Sequence, residues 1–71
     1  MSQQTITLPV EISEDAAYQF AQFCKRICYR DAYDLTEPHL PPDIRKERAY
    51  QMLHGIERVQ AALADAGYAP R

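Results

Sequence analysis

Apolar residues in the C-terminal half of the chain fall at alternating spacings of three and four: Ala49, Met52, Ile56, Val59, Leu63 and Ala66. That rhythm draws an apolar stripe down one side of an α-helix, and the spacing predicts a helix over about 43–66. Lys46, Glu47, Arg48, Gln51, Glu57, Arg58, Gln60 and Asp65 make the wet side. Both ends are marked. Pro41 and Pro42 stand where proline is tolerated, at the helix entrance, and Asp43 faces the positive end of the helix dipole. Gly67 fits the left-handed position after the last turn, Tyr68 then falls where it can pack back on Leu63, and Pro70 forbids continuation. Such a helix is roughly 36 Å long at 1.5 Å per residue, longer than a domain of this size is wide. The stripe needs a partner, in the same chain or in a second copy.

Upstream, the pattern changes period. From Gln3 to Val10 apolar Ile6, Leu8 and Val10 alternate with polar Gln3, Thr5 and Thr7. This predicts a short half-buried β-strand, with Pro9 near its end or at an edge. No second strand of similar quality follows, so its simplest partner is the same strand of a second copy. Ser13 is placed to cap a following helix, with Glu14 and Asp15 in its first turn. Ala17, Phe20, Ala21, Phe23, Cys24, Ile27 and Cys28 then give a broad apolar face, and the helix is expected over about 14–30. Residues 29–36 continue it or form a separate turn, leaving Tyr33 and Leu35 to cover the core. Thr36 to Pro42 holds three prolines and forms a stiff connector. Gly55, costly inside a helix, suggests a point of close approach between the helices. The expected fold is mainly α: a short N-terminal β-strand, then two main helices packed as a hairpin through a Pro-rich connector, all in a single domain, 1–71.

Length sharpens this picture. A chain of 71 residues buries only about 60% of its unfolded surface, so self-association is a common remedy and a homodimer is expected. The net charge of −2 is too small to indicate anything alone, but the acidic pI argues against a general nucleic-acid coat, which needs a basic excess. No apolar run is long enough to span a membrane and no signal peptide is evident, so a cytoplasmic protein is expected.

Candidate chemistry is sparse. Cys24 and Cys28 lie four apart within one helical pattern and read as thiols, without the spacing of a zinc knuckle. His39 and His54 have no evident catalytic partner, and no nucleophile elbow, phosphate loop or metalloprotease helix occurs. No cofactor, metal or enzymatic activity is expected. Asp31, Asp34 and Glu37 read as a solvated acidic run. Lys25, Arg26, Arg30, Arg45, Lys46 and Arg48 are six of the eight basic residues, and a hairpin gathers them around the connector. Tyr18, Tyr29, Tyr33, Tyr50 and Tyr68 are many for so short a chain, and tyrosine suits a surface buried at one end and wet at the other. Tyr29, Arg30, Tyr33, Arg45 and Arg48 are therefore the expected partner-binding residues.

Two resemblances bear on function. The strand, then Leu8-Pro9-Val10-Glu11, then a capped helix resembles the opening of a ribbon-helix-helix DNA-binding protein, over residues 3–28. In that family paired strands of a dimer present polar residues to the major groove. The resemblance implies a transcriptional regulator reading DNA through Gln3, Thr5 and Thr7. The whole chain, and particularly the ending Ala61-Ala62-Leu63-Ala64-Asp65-Ala66-Gly67-Tyr68-Ala69-Pro70-Arg71, resembles small uncharacterised proteins of proteobacteria, their phages and integrated mobile elements. That resemblance implies an accessory protein acting on a host component, as anti-CRISPR proteins do. The leading expectation is a non-enzymatic inhibitor or modulator that binds a host protein, a CRISPR effector among the candidates. The alternative is the DNA-binding regulator.

Overall fold

A computed structural model describes residues 4–69 of the chain. Three helices follow one another: α1 (Glu14–Arg26), α2 (Tyr29–Asp34) and α3 (Pro42–Asp65). No strand is present among the described residues. This corrects the expected N-terminal β-strand. Residues 4–13 carry no helix or ladder, and Ile6, Leu8 and Val10 are 80%, 67% and 70% exposed. The physical reason is the one that makes an alternating pattern insufficient. A strand exists only as half of a ladder, the chain offers no second strand, and Pro9 removes one of the donors. Of the residues named for that strand, Gln3 lies outside the described residues, as does Pro70.

The helix ends obey local chemistry. Ser13 caps α1: its Oγ accepts a hydrogen bond from the Ala16 amide at 3.1 Å, while Glu14 and Asp15 occupy the first turn and Lys25 and Arg26 the last. α1 stops at Arg26, short of the expected residue 30, because Ile27 and Cys28 turn to extended backbone. The restart is set by a capping arrangement in which cysteine stands where serine usually does. The Cys28 amide and its Sγ both donate to Asp31 Oδ2, at 3.2 and 3.3 Å. Asp31, which stays exposed as the acidic run suggested, thus also caps the start of α2. α3 begins at Pro42 and closes as its sequence suggests. Gly67 takes φ 97°, the Tyr68 amide donates to Leu63 O at 2.8 Å and the Gly67 amide to Ala64 O at 3.0 Å. These are the two bonds of a Schellman closure.

α3 packs against both α1 and α2. The core is thin and made of small residues: Ala17, Ala21 and Cys24 of α1, Ala32 of α2 and Ala49 of α3 are buried, and no large side chain among the described residues is fully so. Leu53, Ile56, Gln60 and Leu63 of α3 are half-buried. The covered side of α3 is therefore rotated away from the stripe read along the sequence, since Met52 and Val59 stay 38% and 40% exposed. Leu35, expected over the core, is 70% exposed. An added Cβ at Gly55 would meet nothing within 4 Å, so this glycine does not mark a close approach.

The shape follows from the thin core. The radius of gyration is 13.8 Å, against about 11 Å for a compact domain of this length. The chain exposes 6111 Å², where a folded monomer of 8.2 kDa exposes roughly 4500 Å². Exposed apolar side chains of the N-terminal segment, Ile6, Leu8 and Val10, and of the helices, Phe20, Phe23 and Tyr50, contribute to the excess.

Candidate functional site

Two surfaces stand out, and they lie on opposite sides of α3. The first is a ledge built where α2 crosses α3. The connector reverses the chain here, and one buried hydroxyl fastens the reversal. Thr36 Oγ1 donates to Tyr33 O at 2.6 Å and accepts from Arg45 Nε at 2.8 Å, while Arg45 Nη2 donates to Tyr33 O at 3.1 Å. The guanidinium also lies over the Tyr33 ring, 4.3 Å from its centroid. Thr36 is buried, with its hydrogen-bonding capacity used in this clasp. Arg48 Nη1 pairs with Glu37 Oε1 of the connector at 2.8 Å, an exposed bridge of little energetic weight.

Fixed in this way, α2 holds its tyrosines against α3. The Tyr29 ring lies 5.1 Å from that of Tyr50 and 5.9 Å from that of Tyr33. Tyr50 is 55% exposed and Tyr29 37%. Arg30 is exposed on the same short helix.

Of the five expected partner-binding residues, the structure brings Tyr29, Tyr33 and Arg45 into one cluster with Arg30 adjacent in sequence. Arg45 serves chiefly as the clasp, and Arg48 sits two residues from Tyr50, turned well away from it around α3. Tyr50, not among those five, lies three residues before the half-buried Leu53 on α3, which sets it beside the covered side of the helix. Thr5 and Thr7, the described members of the DNA-reading set, are exposed in the N-terminal segment.

The second surface is an apolar groove of about 1150 Å³ between the N-terminal segment, α1 and the last turns of α3. Leu8, Val10 and Ile12 form one wall. Phe20 and Phe23 of α1, with Val59 and Ala62 of α3, form the others. The two phenylalanine rings stack at 5.7 Å and remain 41% and 51% exposed. They were expected on the core face of α1. The buried positions are instead Ala17, Ala21 and Cys24, so the apolar arc of α1 is wider than its single neighbour covers. The signal was available in the sequence: Ala17, Phe20, Ala21, Phe23 and Cys24 spread over more of one short helix than one contact can hide.

Tyr68, which lines the groove, meets Tyr18 edge-on at 4.9 Å, tying the end of α3 to α1. Burial of the Tyr68 hydroxyl, with the Glu14 carboxylate beside it as charge and hydrogen-bond acceptor, raises its pKa above the ordinary tyrosine value. Burial likewise raises the pKa of the Cys24 thiol, whereas Cys28 is exposed. Among the described residues no group of three or more His, Cys, Asp or Glu side chains is placed to hold a metal ion. His39 and His54 are exposed and lie on separate elements. No described helix is long and apolar enough to cross a membrane.

No curated protein and no solved structure matches the chain. A family model matches residues 1–71, the full length. The chain belongs to the family of unknown function DUF7706.

Proposed function

We propose that the protein is a non-enzymatic binding module that modulates a second protein by covering part of its surface, with the tyrosine ledge as the contact face. The observation that carries this reading is the pair of exposed, mutually packed rings of Tyr29 and Tyr50, held by a buried clasp. Tyrosine and arginine supply a large share of binding energy in protein interfaces, and rings already fixed in place lose little freedom on contact. Arg30 beside them favours a partner with acidic residues around an apolar patch. The chain's resemblance to small uncharacterised proteins of proteobacteria, phages and mobile elements implies an accessory protein, which favours a host protein as the partner, with a CRISPR effector among the candidates.

The test is affinity capture from host lysate, followed by mass spectrometry, with the intact protein and the Tyr29→Ala/Tyr50→Ala variant side by side. The reading predicts one stoichiometric partner, retained by the intact protein and lost by the variant while its helical circular dichroism persists. Equal capture by both proteins, or no partner for either, would overturn it.

A further inference from the structure

We infer that the apolar groove is filled by a second copy of the same chain, through antiparallel packing of α1 on its own counterpart across a two-fold axis near Phe20. Three observations carry this. The first is area. Leu8, Val10, Ile12, Phe20, Phe23 and Val59, all lining the groove, are between 40% and 70% exposed. Together they leave roughly 600 Å² of mostly apolar surface open, at the lower end of what one partner contributes to a standard interface.

The second is charge. Asp15 and Arg26 are eleven residues apart on α1, close to three full turns, so they share one flank of the helix. Gln19, one turn after Asp15, lines the groove, which places that flank at its rim. Antiparallel pairing sets the Asp15 of each copy against Arg26 of the other. The midpoint of the two positions falls between Phe20 and Ala21, so the same operation stacks the exposed phenylalanines about the axis. An isologous interface demands such self-complementarity of one patch, and an unrelated partner does not require it.

The third is position. Tyr50 and Val59 are nine residues apart on α3, two and a half turns, and so face opposite ways. A dimer through the groove leaves both tyrosine ledges open, and this inference stands or falls separately from the partner-binding reading.

The experiment is sedimentation equilibrium of the intact chain from about 1 to 100 μM, the range in which a standard-size interface is half-saturated or better. The expected result is a particle of twice the 8.2 kDa chain mass. Phe20→Glu/Phe23→Glu, at exposed positions, keeps its helicity and sediments at the chain mass. Asp15→Arg weakens self-association by about tenfold or more, and adding Arg26→Asp restores it. A chain-mass particle for the intact protein throughout, a dimer untouched by the phenylalanine changes, or a charge exchange that restores nothing would each overturn the inference.

Discussion

Replacing Thr36 by valine should destabilise the protein far more than its size suggests. The side chains are nearly isosteric, so the perturbation is the loss of one hydroxyl at a residue 4% exposed. That hydroxyl donates to Tyr33 O and accepts from Arg45 Nε, both at under 3 Å. A hydrogen bond to a charged group contributes about 1.5–3 kcal/mol and one between neutral groups about 1 kcal/mol. Tyr33 O keeps its bond from Arg45 Nη2, and the half-buried guanidinium regains some water, so the net loss is about 2 kcal/mol. A core this small supplies roughly 3–5 kcal/mol in all. About half the stability therefore rests on one oxygen. Urea titration followed by helical circular dichroism, at one fixed protein concentration, reads the effect. With a slope of about 1 kcal/mol per molar, the midpoint should fall by roughly 2 M. Thr36→Ser, which keeps the oxygen, should lose well under half as much. A Thr36→Val midpoint within about 0.3 M of the parent would refute the clasp, since that is under a fifth of the expected shift.

Other outcomes follow from the same contacts. Gly55→Ala should raise stability by about 1 kcal/mol, measured in the same titration, because the helix gains alanine's propensity and the new methyl meets no neighbour. Gly67→Ala should lower it by about 1 kcal/mol, because φ 97° strains any residue with a Cβ. A thiol reagent added to the native protein should modify Cys28 promptly and Cys24 only on unfolding, since burial raises the Cys24 pKa and shields its sulfur. Tyr68 holds its proton more tightly folded than unfolded, so that stabilisation is fully present below the ordinary tyrosine value of 10.0 and is lost as pH rises through the higher folded value. The ultraviolet difference titration between the parent and Tyr68→Phe should place the ionisation of the lost phenol above the ordinary value, and Glu14→Gln should lower it.

How far the fold could be read in advance depended on whether each signal was local. α3 was legible to within a residue at either end because Pro42 and Gly67 act through their own backbone preferences. The Ser13 cap was legible for the same reason. The end of α1 was not, although its cause is equally local. Cysteine in the capping place at Cys28, three residues before Asp31, disguises a familiar pattern. The N-terminal alternation misled because a strand is a property of two segments, and one segment cannot report the absence of the other. The clasp was invisible for a related reason. Thr36 and Arg45 are nine residues apart across a chain reversal, and nothing in their types announces the contact. The groove lay between these cases. An apolar arc on α1 too wide for one neighbour was present in the sequence, but which part stays uncovered depends on where α3 crosses, and that is set by the small residues Ala17, Ala21 and Cys24 rather than by the phenylalanines.

What unites these features is a core of alanines and one thiol with large apolar side chains turned outward, an arrangement that the inferred dimer would stabilise. The most direct measurement is the thermal unfolding midpoint across a hundredfold range of protein concentration. If folding is completed by association, mass action requires the midpoint to climb steadily with concentration. A midpoint that stays fixed over that range would mean that a single copy already holds all the stability it has, and would contradict the account.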